Sequence, residues 1–241
     1  MPAVRVMTYQ TNGCRGRDGR VDIERILDVV REGAPDLVAL QRFEPGWNLT
    51  AAELGEALGY SWSAGDRDTV LFSCYPLSHA RHYDLGGGAA CLRADVEFLG
   101  KRLHLFNVCL SPHPRLRQEQ IVRLLGEDLL GHPDLACPTI VLGDFADCGW
   151  GLGNIQLAMS LRRARRPLWC GTYPSFLPVL GRDRVYLRGD IRVLESSILR
   201  WGPARHASSH LPLILTLQVR DPREYLRAPA LKRSHMETAP G

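Results

Sequence analysis

Lysine is almost missing from this chain. Of its 30 lysine and arginine residues, only Lys101 and Lys232 are lysine, so the net charge of +4 is carried by arginine. So mild an excess fits a solvated arginine-rich surface, and it also suits a phosphate-bearing ligand. Paired cysteine motifs are missing too. Cys14, Cys74, Cys91, Cys109, Cys137, Cys148 and Cys170 are odd in number and contain no C-x-x-C, which excludes an evident disulfide framework or zinc site and suits a reducing compartment. No run approaches the roughly 18 apolar residues of a membrane helix, and the start, Met-Pro-Ala-Val-Arg-Val, lacks the pattern of a signal peptide. The expectation is a soluble cytoplasmic protein with no membrane span. No internal repeat is visible.

What is present is enough for one large core. The 241 residues are 45% hydrophobic and 23% charged, with no composition break. The expected domain covers residues 1–220. Residues 221–241, with three prolines, several charges and no periodicity, read as a disordered tail.

The order of elements follows from periodicity. Val4–Tyr9 and Asp36–Gln41 read as buried strands. Between them Asp22 caps a helix with Ile23, Ile26, Leu27 and Val30 on one face. Thr50-Ala-Ala-Glu53 is a capping box that starts a helix to about Leu58. Thr69–Cys74, Ala89–Glu97 and Arg102–Cys109 follow as strands, the last two joined by a hairpin turn at Leu99-Gly100-Lys101. A helix over about Leu116–Leu130 leads to strand Thr139–Gly143. A weaker helix near Ile155–Arg165 and strands near Arg184–Leu187, Arg192–Leu199 and Leu213–Val219 complete the chain. Hairpins in both halves exclude a strictly alternating parallel sheet and favour two packed mixed sheets covered by helices.

Four phrases stand in order: Val4-Arg-Val-Met-Thr-Tyr9, Asp36-Leu-Val-Ala-Leu-Gln41, Gly143-Asp144-Phe145 and Ser209-His210-Leu211-Pro212-Leu213. Together with the Thr69–Pro76 region and Arg117-Gln118, they resemble the endonuclease/exonuclease/phosphatase family, which includes the DNase I-like nucleases and inositol polyphosphate phosphatases. The resemblance covers roughly residues 3–219. It implies a four-layer α-β-β-α sandwich of two mixed β-sheets flanked by helices, and a Mg²⁺-dependent phosphoester hydrolase with its site at one edge of the sandwich.

Position by position, the resemblance places Asp144, His210 and Asp183 as a retained catalytic frame: an acid that positions water, a histidine that stabilises transition-state charge, and the acid that orients it. Five positions depart from the pattern. Gln10 replaces an Asn and keeps an amide one methylene farther out. Arg42 replaces the metal-binding Glu and reverses its charge. Ala146 replaces an amide, Ser209 an acid, and Cys109 a strand-end histidine.

The resulting expectation is a pseudoenzyme: a scaffold that has lost standard Mg²⁺-dependent hydrolysis, has no cofactor, and keeps a phosphate-binding pocket at Arg42 and Gln10 for a phosphate-bearing small molecule or nucleic acid. Arg42 then holds phosphate through its fork of donors or pairs with Asp144 in the vacated metal position. One alternative is an active Mg²⁺-dependent phosphodiesterase or phosphatase whose metal ligands are the displaced Glu44, sharing strand parity with Arg42, and Asp147. Another is a partner-binding structural domain. Asp147 also reads as a loop cap, Cys109 as an inert buried thiol, and Arg162-Arg163-Ala-Arg165-Arg166 as a solvated helix end or a phosphate-backbone contact.

Overall fold

The structure is a computed structural model that describes residues 3–44, 50–65, 68–133, 135–147, 152–165 and 171–220. The expected tail at 221–241 lies outside these. In chain order the elements are β1 (Ala3–Gln10), α1 (Ile23–Gly33), β2 (Leu37–Gln41), α2 (Ala51–Ala57), β3 (Trp62–Gly65), β4 (Thr69–Ser73), β5 (Leu77–Gly86), β6 (Ala89–Phe98) and β7 (Lys101–Cys109). The second half adds α3 (Pro114–Leu125), β8 (Thr139–Asp144), α4 (Leu152–Ser160), β9 (Arg162–Arg163), β10 (Asp183–Arg188), β11 (Ile191–Ile198), α5 (Ala204–Ala207) and β12 (Leu213–Val219).

Strand alternation builds two six-stranded mixed sheets, in the orders β11-β12-β1-β2-β4-β3 and β5-β6-β7-β8-β10-β9. Successive side chains point to opposite faces. Val4 and Val6 of β1 therefore meet Leu103 and Leu105 of β7 between the sheets, while Met7 and Tyr9 turn outward against Ile26 and Val30 of α1. Phe106 and Val141 turn outward beneath Ile121 and Leu124 of α3. Three apolar clusters thus separate four layers, the α-β-β-α sandwich that the resemblance implies. Each sheet contains one parallel pair, β1 with β2 through α1 and β7 with β8 through α3. Both pairs end at one edge, at Gln10, Gln41, Cys109 and Asp144.

Local chemistry explains the boundaries. Asp22 accepts from the Glu24 backbone N–H at 3.1 Å, and the capping box at Thr50 and Glu53 closes in both directions. Leu99 and Gly100 both take positive φ, 49° and 78°, as a tight hairpin turn requires. The helix expected to reach Leu130 stops at Leu125, because Gly126 turns extended; Leu129 and Leu130 still bury their side chains against it. The helix expected to reach Arg165 ends at Ser160, and Arg162–Arg163 instead pairs with Leu187 and Tyr186 as an edge strand. The basic run is thus no helix end. Strands β3 and β5 escape the apolar pattern because edge strands need little burial; in β5 only Leu85 is buried.

Candidate functional site

The face between the sheets turns polar toward the edge where the parallel strands end. The parity that buries Val4 and Val6 also buries Thr8 and Gln10, and across the sandwich it puts Asn107 and Asp144 in line with Leu105 and Leu142. Gln41 Nε2 donates to Thr8 Oγ1 at 3.0 Å and, across the sheets, to Asn107 Oδ1 at 2.7 Å. Asn107 Nδ2 donates back to the Leu40 and Val70 carbonyls. This network fixes the spacing of the sheets beneath the site.

Asp144 ends β8 opposite Asp183, its antiparallel register partner, and beside Cys109, its parallel one. Gly143 makes that placement possible: at φ 142°, a side chain there would run into the Val108 carbonyl of β7. His210 is held by its loop. Its backbone N–H reaches Ser208 Oγ at 3.2 Å, Ser208 Oγ donates to the Gln10 carbonyl at 2.8 Å, and the Leu211 N–H donates to the Thr172 carbonyl at 2.8 Å. Its ring Nδ1 lies 2.8 Å from Asp183 Oδ2, and the Asp183 N–H is tied to Thr172 Oγ1 at 3.2 Å. Asp144, Asp183 and His210 thus come together, with ligating atoms within 4.8 Å of one another. Each is at most 1% exposed.

A residue that no sequence pattern singles out closes this cluster. Arg182 Nη2 lies 3.0 Å from Asp144 Oδ2, its guanidinium rests 4.9 Å above the Tyr173 ring, and Tyr173 in turn stands 4.8 Å from the His210 ring. The expected Arg42–Asp144 ion pair is therefore corrected: Arg182, arriving from the strand opposite, satisfies Asp144 first. Its only sequence signal is its place directly before Asp183.

Arg42 leaves the strand at once. Its φ of 47° takes it out of the extended strand, yet Arg42 and Glu44 still open on the same side. The Arg42 N–H donates to the Asp68 carbonyl at 2.7 Å, and its own carbonyl accepts from Gly13 N–H and Thr11 Oγ1. Held this way, Arg42 lies exposed on a cavity of about 570 Å³, shared with Asn12, Arg15, Glu44, Asp68 and Cys109. Gln10 lies outside that lining: it is buried and its Oε1 has no hydrogen-bond partner. Asp147 is buried elsewhere, 3.9 Å from Arg117 Nη2, which also reaches the Ala146 carbonyl through Nη1 at 3.2 Å. Among the described residues neither Glu44 nor Asp147 joins a three-ligand cluster.

The donor set does not fit a hard divalent cation, which prefers six or more oxygen ligands. Both Asp144 oxygens are engaged, Oδ1 by the Ala146 N–H at 2.8 Å and Oδ2 by Arg182; Asp183 Oδ2 is engaged by His210. Within the Asp144–Asp183–His210 cluster, Asp183 Oδ1 is the buried unpaired oxygen. A guanidinium already supplies the counter-charge, and a second cation beside it costs on the order of several kcal/mol at moderate effective dielectric. Arg42 and Arg15 line the cavity on the open side, beside a buried carboxylate–histidine frame. Burial pushes the Cys109 thiol up to about 12, reinforced by Asp144 and opposed by Arg42, so it remains a protonated neighbour rather than a nucleophile.

Comparisons with known proteins agree with this fold. A family model described as the Endonuclease/Exonuclease/phosphatase family matches residues 7–210. Among solved structures, an endonuclease/exonuclease/phosphatase from Beutenbergia cavernae superposes with a TM-score of 0.73 at 20% identity, covering 91% of this chain and 72% of its own. TDP2 of D. rerio, complexed with single strand DNA product, gives 0.69 at 14% identity over 91% and 100%. A mannosyl-6-phosphatase from Bacteroides thetaiotaomicron gives 0.69 at 16% identity over 89% and 99%. No curated protein matches the chain.

Proposed function

Because this chain belongs to the endonuclease/exonuclease/phosphatase family, we propose that it keeps that scaffold and a phosphate-binding cavity while having lost standard Mg²⁺-dependent phosphoester hydrolysis. The observation that carries this reading is the Arg182–Asp144 pair. It commits the acid expected to position water, and it puts positive charge where a metal-dependent site needs oxygen ligands. Arg42 and Arg15 on the cavity wall supply forked donors suited to a phosphate's oxygens. The ligand class is a phosphate monoester or diester. Neighbours that bind single strand DNA or act on a sugar phosphate support that class and leave the choice within it to experiment.

A second reading has its own observation. The retained Asp144–Asp183–His210 cluster keeps an oriented histidine, as a working phosphodiesterase needs. One set of measurements separates the two. On the first reading, the wild type binds a phosphate ester by calorimetry in EDTA, Arg42→Gln weakens that binding about tenfold, and no Mg²⁺- or Mn²⁺-dependent hydrolysis of a generic phosphodiester is detected. Hydrolysis that is lost in both Asp144→Ala and His210→Ala establishes the second and overturns the first. Metal-dependent activity gained by the triple change Arg42→Glu, Ala146→Asn and Ser209→Asp supports the positional assignments.

A further inference from the structure

The densest basic run in the sequence folds into a second cavity. Strand β9 is the last strand of one sheet and β11 the last of the other, and they flank a cleft of about 630 Å³ on the open side of the sandwich. The cleft shares no lining residue with the first cavity. Arg163 pairs with Tyr186, three residues along β10 from Asp183, so the two sites are separated by roughly 10 Å of strand.

Four guanidinium groups, those of Arg162, Arg163, Arg165 and Arg192, line the cleft against one acid, Glu195. Edge strands commonly carry charge to prevent pairing with other chains. Three features go beyond that protective role. First, Arg162 Nη2 donates to the Ile191 carbonyl of the facing strand, which fixes one guanidinium across the gap. Second, none of Arg163, Arg165 and Arg192 has an ion-pair partner among the described residues, and half-buried Arg163 lies near enough to the Arg184 cation for burial and that charge together to depress its pKa. Third, Ser196 Oγ is buried in the lining with no hydrogen-bond partner, beyond a β-bulge between Val193 and Glu195 that re-aims this strand. The site therefore offers many donors and an excess of positive charge in a concave wall, against a single lining acid. A ligand rich in anionic oxygens relieves each of these at once.

We propose that this cleft binds the polyphosphate group of a nucleotide-sized small molecule. The volume lies within the usual range of roughly 300–1,000 Å³ for small-molecule sites, larger than one phosphate needs and suited to two or three in a row. The arginines of the two strands supply donor forks for successive phosphates, and Ser196 donates to one of their oxygens.

The test uses the full chain and inorganic tripolyphosphate, titrated calorimetrically in EDTA at low salt. The expected result is a saturable binding component that Arg163→Gln/Arg192→Gln weakens at least about tenfold and that persists when Arg42→Gln has weakened the other cavity. Ser196→Ala, which preserves every charge, weakens it about threefold and keeps the proposal testable if the double variant does not fold. A nucleoside triphosphate binding as tightly as tripolyphosphate supports the small-molecule assignment. A short single-stranded oligonucleotide binding tenfold more tightly than either overturns it, as does an absence of saturable binding at millimolar tripolyphosphate or affinity unchanged in the double variant.

Discussion

Arg182 and Asp144 meet at the strand ends as a nearly enclosed pair: Nη2 stands 3.0 Å from Oδ2, with the arginine side chain 15% exposed and the carboxylate fully buried. Removing one partner of such a pair leaves a buried charge unmatched. Arg182→Ala is accordingly expected to destabilise the fold by about 3 kcal/mol, and Asp144→Asn in that background to recover most of the loss. Urea unfolding of the double-mutant cycle measures this. Additive effects would show that the two side chains do not interact energetically.

The same pair leads to a prediction about metal affinity. Mn²⁺ titrated into the wild type and followed by electron paramagnetic resonance is expected to remain free at millimolar concentration. Arg42→Glu combined with Arg182→Gln removes two cations and adds an oxygen donor, and is expected to bind Mn²⁺ measurably. Tight Mn²⁺ binding by the wild type would contradict the misfit inferred from the donor set.

Asn107 is the polar tie between the sheets. Replacing it with the isosteric Leu removes the acceptor of Gln41 Nε2 and the donor to the Leu40 and Val70 carbonyls, all inside the sandwich. The expected loss is about 3 kcal/mol, read from the urea midpoint at constant slope. A change below about 0.5 kcal/mol would mean that water replaces these bonds.

Buried thiols make the fold sensitive to alkali. Burial raises Cys14 and Cys109 from 9.0 to about 12, so the folded chain retains protons that the unfolded chain releases above pH 9. Stability from these groups is complete below pH 9 and falls as the pH rises toward 12, by up to about 1.4 kcal/mol per pH unit for each thiol. Cys109→Ala is expected to flatten the decline between pH 8 and pH 10. Iodoacetamide is expected to modify exposed Cys74 well ahead of Cys14 and Cys109 in the native protein. Equal slopes in wild type and variant would show that the Cys109 thiol ionises freely when folded.

Ala146 sits at φ 53°, a left-handed conformation in which its Cβ is strained. Ala146→Gly should stabilise the chain by about 0.5–1 kcal/mol in thermal or urea unfolding. Destabilisation instead would mean that the buried methyl contributes more through packing than it loses in strain.

Much of this fold is legible in the order of residues alone. The apolar alternation of Val4–Tyr9, Asp36–Gln41 and Thr139–Gly143, the capping box at Thr50 and the hairpin at Leu99-Gly100 are local signals, and each corresponds to an observed element. Strands β3 and β5 are not legible, because an edge strand half open to solvent need not alternate apolar and polar residues. At the site, the phrases containing Asp144, Asp183 and His210 mark residues that do converge. The expected pairing of Arg42 with Asp144 in the vacated metal position fails, because Arg42 turns to positive φ at the strand end and Arg182, distant in sequence, reaches Asp144.

By itself, then, the sequence determined the layers, the family resemblance and the residue types at the ends of the strands, because these depend on periodicity and short-range turn chemistry. Only the tertiary structure decided which arginine neutralises Asp144, which side chains reach the cavity, and that β9 and β11 bring two arginine-bearing edges together. Those outcomes depend on antiparallel register and on the approach of residues far apart in the chain, where a shift of one position exchanges the face on which a side chain lies.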